Sequence, residues 1–268
     1  WLVQEDGRVW FRHPTAGEVE LLTGPGDPRL PRAGVTAFQP LAVAPVTAAL
    51  ESVNGIAPQL TLDVFLLPAP PAAALGSFAR RAAIFLSPAF GPVSDQTVAA
   101  LVTHELGHVL TWAYLDGRPQ RWDEYCELRG LSREAGGPDA PHAQRVREIL
   151  AEDVRVLFGG ALARGDGTVE NHDLTPPQRV EGLAQLLASA FAGAPGGWGE
   201  TARTVAFPSP APADVIVELL PAAAEPTQAV TSVAPASADL AVYDVRGRLV
   251  HRLAGGAFHI FRGGVRAA

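Results

Sequence analysis

The sequence predicts an α+β protein in which short strands precede two long helices. Three observations lead to this prediction: brief apolar runs bounded by turn residues, two stretches of helical periodicity, and strand-type alternation near the C-terminus. At 268 residues the chain is long enough to bury a sizeable core and to divide into two domains. We expect the first domain over 1–195, a linker rich in Pro, Gly and Ala over 196–213, and a small all-β domain over 214–268.

The N-terminal part is predicted to be mostly strand. The predicted strands, which include a hairpin around Asp6-Gly7, lie in residues 1–11, 17–22, 60–67 and 81–87. Prolines and Gly76 separate the last two strands and predict a loop between them. A short helix is expected over 45–54, because Asn54-Gly55 is a typical helix end.

A long helix follows and contains the most informative residues of the chain. Ser94 is a good N-cap, apolar residues recur at helical spacing, and Gly117 and Pro119 are expected to end the helix. Inside it stands His104-Glu105-Leu106-Gly107-His108, which puts two imidazoles one turn apart on the same face. The ordinary alternative is a pair of polar residues on a solvated face. The flanking sequence is apolar nearly all round, however, and buried polar groups need partners.

This spacing is typical of a zinc site. Zinc held by three protein ligands keeps a fourth position for water and lowers the pKa of that water to about 7. A neighbouring carboxylate then accepts the proton as the water attacks. Glu105 is the acid placed for that task, so we expect Zn²⁺ as the cofactor, with His104 and His108 as ligands.

A third ligand is expected on a later helix. A proline at a first-turn position, Pro141, follows Asp139 and Ala140, and an amphipathic pattern runs from there to Gly159-Gly160. On this helix Glu148 and Glu152 share one face, so either acid is placed to complete the site.

The two helices together resemble those of the gluzincin metallopeptidases. The segment Leu150-Ala-Glu-Asp-Val-Arg155, about 45 residues after the first motif, is similar to the third-ligand helix in the branch typified by the lethal-factor protease domain and the Pro-Pro endopeptidases. The resemblance spans roughly residues 60–192. It implies a zincin-like fold with Glu105 as general base and His104, His108 and Glu152 as metal ligands, and Glu148 is the competing ligand. It also implies that Asp153 orients a neighbour and that residues 82–87 form the sheet edge where a peptide substrate binds.

One residue departs from the family pattern. The family usually carries a tyrosine two helical turns before the ligand glutamate, and its hydroxyl stabilises the oxyanion. The corresponding position here is Arg145, which is either a cationic donor with that role or a solvated helix residue. The other candidate donors are His142, Tyr125 and Tyr114.

The C-terminal part is predicted to begin after one more helix. Thr175-Pro-Pro-Gln178 forms a capping box and predicts a helix to about Phe191. Beyond the linker, strands are expected over 214–220, 238–245 and 248–253. The phrase at 240–250 resembles the hairpin of the FlgD-type immunoglobulin-like module of secreted bacterial proteins. Residues 255–268 lack the usual closing strands, which predicts an incomplete sandwich.

Charge and composition narrow the function classes. A net charge of −7 and a pI near 5.5 argue against nucleic acid and anionic membrane surfaces as partners. No apolar run reaches the eighteen or so residues that a membrane span needs. The single cysteine, Cys126, forms no intrachain disulfide and is expected to be a buried apolar residue. The absence of methionine suggests a processed chain whose signal peptide lies outside this sequence.

The resulting expectation is a secreted or cell-surface zinc endopeptidase that acts on a peptide or protein substrate. The intact Glu105 favours this enzyme. The missing tyrosine favours a rival class, a catalytically lapsed zinc-binding surface or adhesion module. An intracellular enzyme acting on a substrate other than a peptide is the third possibility.

Overall fold

The computed structural model describes residues 2–13, 17–30, 37–165, 170–193 and 195, together with three strands between 240 and 262. Within these residues the protein is mixed α+β, as predicted. The described α-helices are α1 (Val43–Glu51), α2 (Asp95–Tyr114), α3 (Pro119–Arg129), α4 (Val146–Phe158), α5 (Ala161–Gly165) and α6 (Leu183–Ala190). The described strands are β1 (Leu2–Glu5), β2 (Arg8–His13), β3 (Gly17–Leu21), β4 (Leu62–Leu66), β5 (Phe78–Arg80), β6 (Ala83–Leu86), β7 (Leu240–Tyr243), β8 (Leu249–Leu253) and β9 (Phe258–Arg262).

The strands form two sheets. β1, β2 and β3 make an antiparallel meander, whose first turn places Asp6 and Gly7 at positive φ, as a tight hairpin requires. The second sheet has the order β5-β6-β4-β9-β7-β8. In it β4 runs parallel to both β6 and β9, and β5 pairs antiparallel with β6.

Both faces of β4 and β6 are buried. Val64 and Ile84 point into a core shared with α1, α2, α4 and α6. Phe65 and Phe85 point to the opposite face and pack against Phe11 of the meander, with ring centroids 4.8 and 5.7 Å from Phe11. This alternation follows from the two-residue period of a strand. The sheet therefore lies between a helical layer and the N-terminal meander.

The prediction that residues 82–87 form a sheet edge is wrong. Strand β6 in that segment is paired on one side with β4 and on the other with β5. The prolines between the two predicted strands indicate a loop, but residues 78–80 within it return antiparallel and pair with β6. In the described residues the outermost strand on this side is β5.

The helices were predicted with uneven accuracy. Helix α2 is confirmed, and the hydroxyl of Ser94 accepts a hydrogen bond from the Thr97 amide at 3.1 Å, as an N-cap should. Helix α3 is not among the predicted helices: Pro119, expected to end α2, occupies the first turn of a new helix. Helix α4 begins later than expected, since residues 142–144 form a 3₁₀ turn. The helix expected from Thr175 is a 3₁₀ turn followed by α6.

Helices α2 and α4 cross in direct backbone contact. A Cβ on Gly107 would lie 2.6 Å from Ala151 Cα and 2.9 Å from Ala151 O, closer than real atoms approach. Only glycine therefore allows this approach. The contact falls between His104 and His108 on one helix and between Glu148 and Glu152 on the other, so it sets how these four side chains meet.

The C-terminal part is described only as backbone strands. Strand β7 pairs with β8 and β9, and β9 pairs with β4. The expected strands at 238–245 and 248–253 correspond to β7 and β8. The presence of β9 contradicts the expectation of no further strand after 255. The linker and the strand predicted at 214–220 lie outside the described residues, so the division into domains stays a prediction.

Candidate metal centre

Helix α2 presents the two predicted histidines side by side. The rings of His104 and His108 have centroids 4.9 Å apart and lie at 82° to each other. Both side chains are largely buried, with exposed fractions of 17% and 16%. The four-residue spacing puts both rings on the helix face that meets α4. Two imidazole nitrogens are thus directed at the same place on the neighbouring helix.

The acid that meets both rings is Glu148. Its Oε2 lies 3.3 Å from Nε2 of His104 and 3.1 Å from Nε2 of His108. These three nitrogen and oxygen atoms lie within 4.8 Å of one another, and in the described part of the chain this is the group that could hold a metal ion. Two Nε2 atoms and one carboxylate oxygen make a donor set that is common for divalent metals.

Glu152, which the family resemblance gives as the third ligand, lies at the other edge of the His104 ring. Its Oε2 is 3.4 Å from Nδ1 of His104, not from Nε2. Its carboxylate is also held by Arg155, whose Nε donates to Oε2 at 2.8 Å and whose Nη2 donates to Oε1. A carboxylate on the second nitrogen of a metal-bound histidine orients the ring. Among the described residues Glu152 is not in the three-residue cluster.

Glu105 is buried beside this cluster. Its side chain is on α2 between the two histidines, and the residue is 5% exposed. Burial raises the pKa of Glu105, against the opposing charges of His108 and His104. Within the described residues its Oε2 has no hydrogen-bond partner. Such an unpartnered buried oxygen is costly unless something outside the protein chain, such as a water held next to it, contacts it.

The charges of the cluster are strongly coupled. Burial disfavours a charged His104, but hydrogen bonds to Glu148 and Glu152 outweigh it and raise the pKa of His104 to about 10. Burial likewise opposes ionisation of Glu148, and hydrogen bonds from His104 and His108 overcome it and lower the pKa of Glu148. The raised pKa of His104 thus reflects carboxylates on both nitrogens of its ring. A divalent cation bound at the cluster would replace the proton on Nε2.

The four candidate oxyanion donors lie in different places. Tyr125 is fully buried and its hydroxyl donates to Asp153 at 2.8 Å. The Tyr114 hydroxyl donates to the carbonyl of Gly193 and accepts from the Gln59 amide. The donor contacts of both tyrosines are thus directed at groups other than the cluster.

The two remaining candidates precede α4. Arg145 donates from Nε to the carbonyl of Ala140 at 2.9 Å. His142 lies closer to the cluster, with its Nε2 3.5 Å from Glu148 Oε2. Asp123, an acid on α3, pairs with Arg133 on the surface.

Sequence reasoning missed a buried ion-pair network behind the site. Asp153 accepts from Arg129 Nε at 2.8 Å and from Arg129 Nη2 at 3.0 Å, in addition to the Tyr125 hydroxyl. Arg129 also donates to the carbonyl of Thr175. The network joins α3 to α4 and to the loop before α6. These bonds fix α4 against α3 through Asp153, and none of them involves His104 or Glu152.

A cavity of about 250 Å³ opens beside the cluster. Its lining includes His104, Glu148 and Glu152, together with residues 170–172 and 174–178. The sequence contains one indication of the Glu152–Arg155 pair that lines this cavity. Arg155 stands three residues after Glu152, and side chains at this spacing on a helix can form an ion pair. Nothing local in the sequence indicated that residues 170–178 would lie here.

Comparisons of the chain with protein-family models, with curated proteins and with solved structures found no match. None of the described helices has the length and apolarity that crossing a membrane requires. The geometry of the cluster is therefore the basis for a functional conclusion.

Proposed function

We propose that the protein is a zinc-dependent endopeptidase in which His104, His108 and Glu148 hold the metal and Glu105 is the general base. The observation that carries the proposal is the meeting of both Nε2 atoms at one carboxylate oxygen, next to a buried glutamate oxygen without a partner. This is the arrangement that a metal and an adjacent water would complete. The proposal moves the third-ligand role from Glu152 to Glu148.

The distances suit zinc. Ligand atoms that lie about 2.0–2.1 Å from zinc at tetrahedral angles are about 3.3 Å from each other. The Nε2 to Oε2 separations of 3.3 and 3.1 Å match this value. Two imidazoles and a carboxylate are also the ligand set of catalytic zinc sites that keep one position open. Glu152 then acts as the carboxylate that orients His104, and Arg155 holds Glu152 in place.

The chain supplies the proton chemistry. Zinc, when bound, lowers the pKa of a water molecule and polarises the substrate carbonyl. Glu105 takes the proton of the attacking water, because its burial and raised pKa make it a better acceptor than a solvated glutamate. The same carboxyl then gives the proton to the leaving amine. Hydrolysis by this route needs no covalent intermediate with the protein.

A peptide is the substrate class that the surrounding fold favours. Among the described strands, β5 stands at one edge of its sheet and contacts α2. Its three residues are half-buried. An extended peptide can add to such a strand through main-chain hydrogen bonds. The C-terminal resemblance supports a secreted or cell-surface enzyme.

The test is a comparison of the native protein with Glu105→Gln. The amide keeps the shape of the side chain but does not accept a proton, so hydrolysis of a peptide library should fall by about two to four orders of magnitude. Zinc content, measured by elemental analysis after dialysis, should stay at one equivalent in both proteins. Glu127→Gln, on the exposed face of α3, is the matched control and should behave like the native protein.

Two outcomes would contradict the proposal. Unchanged turnover in Glu105→Gln would refute its role as base. Stoichiometric zinc without cleavage of any library peptide by the native protein would favour the lapsed zinc-binding module instead.

A further inference from the structure

The cavity beside the metal cluster has the size of one substrate side chain. Its volume of about 250 Å³ lies below the roughly 300–1,000 Å³ of pockets that enclose a whole small ligand. Its lining joins His104 and Glu148 of the cluster to Arg164 of α5, so a group that enters it lies next to the proposed metal site. Ile149, Val156 and Leu174 add apolar surface, which suits the aliphatic part of a side chain.

The carboxylates in the described lining of the cavity all have partners. The pairs are Glu148 with the two histidines of α2, Glu152 with Arg155, Asp153 with Arg129, and Glu170 with His142. The same pairs match Arg129 and Arg155 with one carboxylate each. The lining therefore offers no unmatched negative charge to a group that enters.

Arg164 is the guanidinium of this lining without a carboxylate. Among the described residues its side chain forms no hydrogen bond or ion pair, and the residue is exposed. Its backbone, in contrast, is held on both sides. Arg155 donates from Nη1 to the carbonyl of Ala163, and a Cβ on Gly165 would lie 2.6 Å from Nε2 of Gln96. An always-charged donor is thus fixed at the cavity by its backbone while its side chain is left without a partner.

We propose that this cavity binds a carboxylate of the peptide substrate and that Arg164 is the specificity-determining residue that recognises it. The inference rests on the proposed peptidase function and names its substrate class, peptides with an acidic group near the scissile bond. A guanidinium can hold a carboxylate through two parallel hydrogen bonds. An unmatched positive charge in a cavity wall also attracts the opposite charge. A neutral side chain would gain neither of these interactions.

The test uses the zinc-loaded full chain and pairs of peptides that differ only by Glu or Gln at one position. Scanned along both sides of the scissile bond, one position should show a kcat/KM about tenfold higher for the Glu peptide. This is the lower end of what a hydrogen bond to a charged group contributes, and it applies because Arg164 is exposed. Elemental analysis should find one equivalent of zinc in every variant.

Three variants show whether Arg164 causes the preference. Arg164→Ala should cleave both peptides equally well, at the native rate for the Gln peptide, because only the contact with the carboxylate is lost. Arg164→Glu should prefer a Lys peptide at the same position. Arg179→Ala is the matched control, since this arginine is exposed and lies outside the cavity lining, and it should keep the native preference.

A binding measurement separates recognition from turnover and identifies the source of the carboxylate. Glu105→Gln binds peptides without cleaving them efficiently, so calorimetry on it should give the same tenfold difference in Kd, which Arg164→Ala should abolish in the double variant. Each peptide is measured with a free and with an amidated C-terminus. A Glu preference that persists in the amide assigns the cavity to an acidic side chain. A loss of affinity on amidation that depends on Arg164 assigns it to the terminal carboxylate.

The result that overturns the proposal differs from the one that overturns the proposed function. The proposal fails if the native protein shows no carboxylate preference, if Arg164→Ala keeps that preference, or if Arg164→Ala loses activity on all peptides alike. A native protein that neither binds zinc nor cleaves any peptide would instead refute the proposed function.

Discussion

The assignment of Glu148 as ligand and Glu152 as orienting residue makes opposite predictions for two matched variants. Glu148→Gln removes a carboxylate whose Oε2 contacts both Nε2 atoms. Glu152→Gln changes a carboxylate that contacts Nδ1 of His104 and the Arg155 guanidinium. Glutamine is used in both because its side-chain oxygen keeps an acceptor for the Arg155 guanidinium, which is 3% exposed, whereas alanine at 152 would remove that acceptor.

The contacts set the expected size of each effect. A residue that orients a metal-bound histidine is worth 10–100-fold in metal affinity, which is about 1.4 to 2.7 kcal/mol. We expect a loss in this range for Glu152→Gln. Glu148→Gln removes one of three ligands and should weaken zinc binding by well over 100-fold. Competition with a chromophoric chelator measures the affinities, and circular dichroism checks that each variant is folded.

The opposite pattern would refute this reasoning. If Glu152→Gln loses stoichiometric zinc and Glu148→Gln keeps it, the ligand lies one turn later, as the family resemblance implies. If both variants bind zinc like the native protein, neither acid is a ligand. His142 and Asp123 would then be the residues to test.

Three further predictions concern the frame of the site. Gly107→Ala should weaken zinc binding and lower the free energy of unfolding by about 1–3 kcal/mol, because the added Cβ would displace Ala151 and with it α4. A native zinc affinity in a calorimetric titration would contradict the close crossing of α2 and α4. Asp153→Ala should lower the free energy of unfolding in urea by about 3–5 kcal/mol, because it leaves the Arg129 guanidinium buried without its carboxylate partner. Tyr125→Phe should lower it by about 1 kcal/mol through loss of one hydrogen bond. Equal losses in the two variants would argue against the ion pair. A chain ending at residue 195 should still bind one zinc, but its thermal unfolding midpoint should be lower because β9 no longer pairs with β4. If the shortened chain binds no zinc, the C-terminal strands are needed to complete the predicted N-terminal domain.

Most features of helix α2 were predictable from the local sequence. Ser94 as N-cap, the apolar period of α2 and the spacing of His104 and His108 are properties of a short segment, and backbone geometry converts them directly into a helix with two rings on one face. The hairpin at Asp6-Gly7 was predictable for the same reason. The neighbours of β6 were not, because its residues fit an internal and an edge strand equally well. Pairing with β5 depends on a return of the chain after several prolines.

The identity of the acids around the histidines was decided by tertiary structure alone. Glu148 and Glu152 are one turn apart on α4, so helical periodicity gives them the same face and cannot rank them. They contact different nitrogens of the His104 ring, Nε2 and Nδ1, where Gly107 lets α2 approach Ala151 closely and so fixes the height at which the helices cross. Glu170 meets His142 across 28 residues of sequence, and the bond from Asn171 to Ala143 joins the same two segments. The sequence by itself determined the helix face that carries both histidines, whereas the long-range contacts decided which atoms meet it, because periodicity sets direction and only packing brings distant residues together.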